Sequence, residues 1–169
     1  IFSKAVIGDP IQTGTVSKGG SVLSLDTVLR HLNDHIDEVP HWMCIGGTGA
    51  GKSTFCRLVL ALRVARGEQF VILAGKRTAV FADVPSIGRD AISASGELKF
   101  DKVRGVSRAL LAEVVRRDNT PFDQRSFGVL NIVIDDASIL MSEIEEVVQL
   151  ARVVGLLGRE IRMRLVILT

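Results

Sequence analysis

The fold is decided by the stretch Gly46-Gly47-Thr48-Gly49-Ala50-Gly51-Lys52-Ser53, which matches the phosphate-binding pattern GxxxxGK[ST] in full. An apolar run at Trp42–Ile45 precedes the stretch, and an amphipathic segment follows it from Lys52 to about Arg66. A strand entering the loop and a helix leaving it are the context in which this pattern binds nucleotide phosphates. The alternative, a glycine-rich turn with an accidental lysine, does not explain that context.

The residue types in the loop suit a polyanionic ligand. Small residues let the backbone curl around phosphates with its N–H groups pointing inward, and the following helix directs its positive end at the same anion. Lys52 is expected to supply a point charge to the terminal phosphates, and Ser53 a hydroxyl to Mg²⁺. Thr54 adds a hydroxyl near the alpha phosphate. The sequence therefore predicts that residues 46–54 bind ATP with Mg²⁺.

A second candidate site follows the apolar run Leu130-Asn131-Ile132-Val133-Ile134, which ends in Asp135 and Asp136. In a parallel sheet, this strand and the phosphate loop would end at the same carboxyl edge. Asp135 is then expected to order the Mg²⁺ shell, and Asp136 to orient or deprotonate the attacking water. The structural alternative is that the two acids cap the next helix.

The rest of the chain alternates strand and helix patterns, which predicts a mostly parallel sheet flanked by helices. Residues 1–39 are expected to form lead-in strands and a helix packed on the core, and residues 40–169 a partial P-loop core. Strands are predicted at Lys4–Gly8, Ser21–Leu25, Trp42–Ile45, Gln69–Ala74, Val129–Ile134 and Arg164–Thr169. Helices are predicted at Thr27–Asp37 after an Asp26 cap, at Lys52–Arg66, from Asp101 as a cap to Arg117, and at Ser142 to about Leu157. Irregular segments are predicted at Thr78–Glu97 and Thr120–Gly128.

Composition places the chain among globular domains. It has 169 residues, 47% hydrophobic and 24% charged, and its net charge of +2 permits a nucleic-acid partner without arguing for one. No run approaches the roughly 20 apolar residues of a membrane span, so this segment is expected to make no membrane contact. Cys44 and Cys56 show no framework spacing, which favours core positions in a reduced, cytoplasmic compartment. His31 and His35 could bridge a metal, but ordinary surface histidines explain the pair better.

The order of several motifs resembles FtsK/SpoIIIE-type DNA translocases of the HerA/FtsK superfamily. The resemblance covers roughly residues 40–169 and begins with Pro40-His41-Trp42 leading into the phosphate loop. It continues through the segments Val71-Ile72-Leu73-Ala74-Gly75-Lys76-Arg77, Glu113-Val114-Val115-Arg116-Arg117, Ile132-Val133-Ile134-Asp135-Asp136 with Leu140-Met141, Gly158-Arg159 and Leu165–Thr169. Each later motif is weak alone, and their shared order makes the match specific.

The resemblance implies a RecA-like P-loop NTPase fold, truncated here at the C-terminus, and a ring, usually a hexamer, that pumps double-stranded DNA. Related rings thread proteins in type VII secretion. Two departures stand out: Ala74-Gly75 replaces an Asp-Pro pair, and Asp136 stands where the family usually has a catalytic Glu. Aspartate retracts the carboxylate by about 1.5 Å, which shifts the water or slows turnover.

Three arginines are further candidates for contacts with phosphate groups. By its position in the resemblance, Arg159 could reach the gamma phosphate of a neighbouring subunit, with a surface salt bridge as the alternative. Arg104 and Arg108 share a helix face that could contact DNA phosphates, although a solvated face is commoner. The chain begins at Ile1 and stops directly after an apolar run, so we expect a piece of a longer protein, whose other segments could tether it at the inner face of a membrane.

Four candidate functions follow from these residues and from what the resemblance implies. The first is an ATPase that translocates double-stranded DNA in segregation or conjugation, and the second is the same core moving a protein, as in type VII secretion. The third is a weakly hydrolysing nucleotide-binding regulatory module, which the shorter Asp136 motivates. A P-loop kinase ranks last, because Thr78–Glu97 offers Arg89 alone where a kinase lid carries several arginines.

Overall fold

The computed structural model describes residues 38–75, 89–90 and 100–169, together with Thr27, Arg30, Asn33 and Asp34. Those four residues have helical backbone, in line with the helix expected over 27–37. The chain divides into two units, Ile1–Val39 and Pro40–Thr169. The strands expected at 4–8 and 21–25, the Asp26 cap and the pair His31 and His35 lie outside the described residues. How residues 1–39 pack stays a prediction.

The second unit alternates strands and helices. The strands are β1 (Trp42–Cys44), β2 (Gln69–Ala74), β3 (Arg89–Asp90), β4 (Leu130–Asp135) and β5 (Met163–Leu168). The helices are α1 (Lys52–Val64), α2 (Asp101–Asp118), α3 (Ala137–Glu143) and α4 (Glu145–Ile161), with a 3₁₀ turn at Phe122–Gln124. The predicted α/β class is confirmed: the sheet is parallel and flanked by helices.

The five strands form one sheet in the order β1-β5-β4-β2-β3, and all neighbouring pairs are parallel. The strand that follows the last helix therefore lies between the strand of the phosphate loop and the strand of the two acids. Ladder pairs join Cys44 to Leu168, Ile134 to Ile167, and Ala74 to Asp135. The carboxyl ends of β1, β5, β4 and β2 consequently finish at one level.

Apolar side chains cover both faces of the sheet. On β4, Ile132 and Ile134 belong to one core cluster, which packs under α2, α3 and α4, and Val133 belongs to the other, which packs under α1. The alternation follows from the two-residue period of a strand. Because both faces are covered, the central strands are continuous apolar runs instead of alternating ones, which is the pattern noted in the sequence.

Three elements differ from the sequence-based expectations. The helix predicted from Ser142 is two helices, α3 and α4, because Ile144 is extended (φ −134°, ψ 102°) and fully buried, so the chain changes direction there. Asp101 is the first residue of α2 and makes no side-chain capping bond; Phe100 precedes it as the cap residue. The stretch expected to be irregular contains β3, a two-residue edge strand paired to β2.

A buried polar network, hereafter the amino-edge network, ties the sheet together at the amino ends of its strands. Arg63, at the end of α1, donates to Asn131 Oδ1, and Asn131 Nδ2 donates to Glu68 Oε2 at 2.7 Å. Arg164 on β5 donates to Glu68 Oε1 at 3.1 Å. Arg63 and Asn131 are fully buried, so each carries the desolvation cost of its polar group and is stable there because it is paired.

Helix α2 is fastened at its C-terminal end by a second polar cluster. Arg117 Nε donates to Glu113 Oε1 at 2.7 Å, and its Nη1 donates to the carbonyl oxygens of Gly128, Ile161 and Arg162 at 3.0, 3.0 and 3.2 Å. These carbonyls belong to the chain entering β4 and to the end of α4. One guanidinium thus joins three segments, which gives a structural reason for the arginine that ends the Glu113–Arg117 motif.

Candidate nucleotide-binding site

The loop between β1 and α1 requires glycine at two positions. Gly49 and Gly51 have φ of 80° and 82°, in the left-handed region that side chains avoid. Within the loop, Ala50 N donates to Gly47 O at 3.2 Å, and Phe55 N donates to Gly51 O at 2.9 Å as α1 begins. The first turn of α1, Lys52 to Phe55, contains no acidic residue that would compete for an anion at this helix end.

The loop leaves the sheet at the carboxyl edge and is anchored there. Gly46 N donates to Thr169 O at 3.1 Å, and Thr169 N donates to Cys44 O at 3.0 Å, so the ladder between β1 and β5 continues into the loop. A Cβ built on Gly46 would lie 3.3 Å from Ala50 Cβ. The loop is therefore closed tightly on itself, and Thr48 to Gly51 are exposed at its tip.

Lys52 lies against the loop that it is expected to serve. Its Nζ donates to Gly46 O at 2.5 Å and to Gly47 O at 3.0 Å. Two neutral carbonyl oxygens thus hold the ammonium group over the loop. A phosphate carries full negative charge and is a stronger partner for an ammonium than a carbonyl is, so the same side chain can transfer its bonds to a polyphosphate bound there.

Asp135 ends β4 at the same edge. The register places it level with Leu168, which itself pairs with Cys44, so it lies two strand spacings, about 10 Å, from the strand of the phosphate loop. The residue is 7% exposed, and its Oδ1 accepts from Asp136 N at 3.1 Å. Burial raises the pKa of the Cys56 thiol, with the nearby Cys44 thiol and the Asp135 carboxylate adding to the shift.

Asp136 occupies the cap position of α3 with a left-handed backbone, φ 54° and ψ 45°. Its carbonyl oxygen accepts from Ile139 N at 2.9 Å and from Leu140 N at 3.2 Å. In the part of the chain that the structure describes, its side chain makes no capping hydrogen bond to that helix, so the structural alternative of a carboxylate cap does not hold for Asp136. The left-handed turn points the chain away from β4 immediately after Asp135.

The donor set at this edge fits a magnesium–nucleotide. Loop amides, the start of α1 and Lys52 offer donors and positive charge to phosphates, while Ser53 and Asp135 offer oxygen atoms, the ligands that Mg²⁺ prefers. Within the described residues, no group of three or more His, Cys, Asp or Glu side chains could hold a metal by itself. Mg²⁺ is commonly held by one or two protein oxygens together with phosphates and water, and Ser53 and Asp135 would supply that number.

Arg159 is not part of this assembly. It is exposed near the end of α4, four residues before β5 begins, whereas the phosphate loop adjoins Thr169 beyond the other end of β5. The six residues of β5 span about 17 Å. Within one chain Arg159 therefore lies at the opposite edge from Lys52, Asp135 and Asp136.

The arginines of α2 are engaged in ion pairs. Arg108 Nη2 donates to Glu146 Oε1 at 2.6 Å, joining α2 to α4, and Arg104 contacts Asp101 Oδ1 at 3.5 Å and Glu143 O at 3.3 Å. Both lie on one helix face, as expected. The contacts fit the commoner alternative, in which the face packs and is solvated, because these guanidinium groups already have acidic or carbonyl partners.

Two residues of the motifs have structural roles that the sequence reading did not identify. His41 Nδ1 accepts from Leu165 N at 3.1 Å, which bonds the chain entering β1 to β5, and burial, aided by Arg63 and Arg164, lowers the pKa of His41. A Cβ on Gly158 would overlap Met163 O and lie 2.8 Å from His41 Cε1. The close approach of α4 to β5 thus requires this glycine. Their position in the resemblance was the one signal that marked them.

Comparison with solved structures gives similar folds. The cytoplasmic domain of the type VII secretion ATPase EccC from Thermomonospora curvata matches with 28% identity and a TM-score of 0.60, over 76% of this chain and 18% of that one. ATPases 2 and 3 of Thermomonospora curvata EccC, in complex with a signal sequence peptide, match with 21% identity and a TM-score of 0.62, over 79% of this chain and 25% of that one. The pCW3 conjugation coupling protein TcpA, in a monomer form with ATPγS, matches with 20% identity and a TM-score of 0.53, over 79% of this chain and 43% of that one.

These findings show structural similarity to FtsK/SpoIIIE-family ATPases and a P-loop ATPase fold. No protein-family model and no curated protein matches the chain. The chain spans about a fifth to less than half of the solved proteins that it resembles. Among the described residues, none of the helices has the length and apolar character needed to cross a bilayer.

Proposed function

We propose that this chain is an ATP-binding and ATP-hydrolysing motor domain that translocates double-stranded DNA. One observation carries the ATPase assignment: the phosphate loop with Lys52 and the acids Asp135 and Asp136 meet at one edge of a parallel sheet. The likeness to ATPase domains, one of them with bound ATPγS, supports the choice of nucleotide.

The residues divide the chemistry among them. Loop amides and the positive end of α1 bind the phosphates, and Lys52 exchanges its two carbonyl partners for terminal phosphate oxygens. Ser53 and Asp135 would hold Mg²⁺, which when bound neutralises charge developing on the phosphates. Asp136 orients a water toward the gamma phosphorus and takes its proton, and ADP leaves as the water oxygen bonds to phosphorus.

Nucleotide binding is tested by replacing the loop cation. Lys52→Ala removes a charge-assisted contact, so we expect ATP affinity to fall about 10- to 100-fold, measured by titration calorimetry with magnesium present. Lys102→Ala removes an exposed lysine on α2 and is the matched control, expected to bind as the unaltered chain does. Equal affinity in the two variants would remove the assignment of the loop.

Hydrolysis is tested at Asp136. Asp136→Asn keeps the size of the side chain and removes the base, so turnover should fall about 100- to 10,000-fold with ATP affinity retained. Asp123→Asn, in the exposed 3₁₀ turn, is the control. Asp136→Glu restores the family's residue and should be tolerated or faster. If Asp136→Asn turned over normally, the catalytic carboxylate would be elsewhere.

We propose that the cargo is double-stranded DNA, because of the motif order described above. We propose further that the chain acts as part of a ring, a hexamer in most proteins that the motif order resembles, on the cytoplasmic side of a membrane. A second candidate is a protein substrate, favoured by the 28% identity to the EccC domain. ATP turnover measured with linear duplex DNA, and separately with a secreted substrate protein, distinguishes them. Stimulation by duplex DNA supports the first, and stimulation by the protein alone replaces it with the second.

The third candidate, a regulatory module that binds ATP and scarcely hydrolyses it, rests on the shorter carboxylate of Asp136. Tight ATP binding without turnover, together with a gain of turnover in Asp136→Glu, would establish it in place of a motor. Turnover above one per second with either cargo would exclude it, since enzymes of ordinary activity lie in that range.

A further inference from the structure

We infer that Gly75 is a positioning residue for the Asp136 carboxylate. Because Gly75 has no side chain, it leaves room for the side chain of Asp136. The inference rests on the proposed hydrolytic role of Asp136 and adds a residue to that site. Gly75 follows β2 directly, and β2 lies beside β4 in the sheet. Gly75 is buried, and its N donates to Asp135 O at 3.2 Å.

The contact arises from register. Ala74 pairs with Asp135, so the next residues along the two parallel strands, Gly75 and Asp136, are neighbours at the carboxyl edge. The left-handed backbone of Asp136 turns its Cβ toward β2 instead of continuing the strand. A Cβ built on Gly75 would lie 3.0 Å from Asp136 Cβ and 3.8 Å from both its carbonyl oxygen and Oδ2.

Glycine is needed there for space and not for conformation. Gly49, Gly51 and Gly67 have positive φ, whereas Gly75 is not among the positive-φ glycines, so alanine at 75 meets no backbone strain. Carbon atoms pack at about 3.5–4.0 Å, so a Cβ at 75 and that of Asp136, which would lie 3.0 Å apart, must separate by a few tenths of an ångström. The Cβ of Asp136 is bonded directly to the backbone, so it can yield only by a backbone shift that moves the carboxylate with it.

The kinetic test compares two glycines. Gly75→Ala should lower kcat for ATP hydrolysis about 3- to 30-fold, because even a shift of a few tenths of an ångström misplaces a catalytic group, while ATP affinity stays unchanged. Gly128→Ala is the matched control: no atom of the described residues lies within 4 Å of a Cβ there, and its kcat should equal that of the unaltered chain. Equal kcat in both variants, or equal losses of kcat and ATP affinity in Gly75→Ala, would overturn the inference.

A stability cycle tests the contact without relying on ATPase activity. Gly75→Ala should lower the melting temperature by about 2–10 °C in the unaltered chain and by much less when Asp136→Gly has removed the opposing Cβ. An equal drop in both backgrounds would refute the contact. If the cycle shows coupling but neither the unaltered chain nor Asp136→Glu hydrolyses ATP, then the proposed function fails while the placement of Asp136 by Gly75 stands.

Discussion

Arg116 and Arg117 are adjacent on α2 and share one acidic partner, yet they differ in burial, so replacing each by methionine tests whether burial decides their contributions. Both contact Glu113, at 2.6 and 2.7 Å, and both lie 5.0 Å from the ring centre of Phe127. The Arg116 side chain is 57% exposed, and that of Arg117 is 6% exposed. Methionine keeps most of the aliphatic length of each side chain and removes the charge.

The magnitude follows from the bonds that each replacement breaks. Arg117→Met leaves the carbonyl of Ile161 without its buried donor and removes two further carbonyl contacts, those of Gly128 and Arg162. Losing a charged donor and leaving a buried carbonyl unsatisfied costs about 1–3 kcal/mol. With a urea slope of about 2 kcal/mol per molar, the unfolding midpoint should fall by about 1 M. Arg116→Met breaks a solvent-exposed pair, and its midpoint should stay close to that of the unaltered chain.

The assay is urea unfolding of the 169-residue chain at pH 7, followed by circular dichroism in parallel for the two variants. Equal shifts of the two midpoints would refute the reasoning, because the variants share their partner and their aromatic contact and differ in burial and in the carbonyl bonds. A larger shift for Arg116→Met would refute it more strongly and would place the structural role of the motif on the exposed arginine.

Three other predictions concern pH, packing and assembly. Hydrogen bonds from Arg116, joined by Arg117, lower the pKa of Glu113 to about 2, below its usual 4.5. The stabilisation from Glu113 is therefore complete above pH 4.5 and is lost as the pH falls toward 2. Glu113→Gln should make the free energy of unfolding in urea depend less on pH across that window, and an unchanged pH dependence would contradict the prediction. Gly158→Ala should cost about 1–3 kcal/mol in thermal unfolding, while Gly155→Ala on the same helix, with open space at its Cβ, should be neutral or stabilising; similar melting temperatures would contradict the packing. Mixing Arg159→Ala subunits with unaltered ones should lower ATP turnover more than dilution does if the arginine acts on a neighbour's phosphate, and a proportional loss would leave it a surface residue.

The parts of the fold that depend on neighbouring residues in the chain could be predicted from the sequence. Gln69–Ala74 is the predicted strand to the residue, and α1 begins at Lys52 as predicted, because an apolar run and a glycine-rich turn are local signals. The loop geometry is local too, since left-handed positions fall on Gly49 and Gly51. The candidate site therefore followed from two short stretches, and the parallel sheet brought them to one edge.

The parts that depend on distant residues could not be predicted. The sequence marks Gly75 as a departure from a family pattern, but its contact with Asp136 exists because β2 and β4 are neighbours. The sequence of neither strand determines which strand lies beside it in the sheet. The break at Ile144 has the same origin: the residue is apolar and fits a helix pattern, yet burial between α3 and α4 holds it extended. The position of Arg159 likewise became clear once the direction of α4 was known.

The amino-edge network has a consequence for the chemistry at the other end of the sheet. If β4 shifted by one residue against β2 or β5, Asn131 would turn to the opposite face of the sheet. Arg63 and Glu68 would then lose this shared polar partner in a buried position. Strand alignment is thereby fixed far from the phosphate loop. Since that same alignment sets Asp135 level with the end of β1, the geometry of the candidate site depends on residues at the opposite end of the sheet.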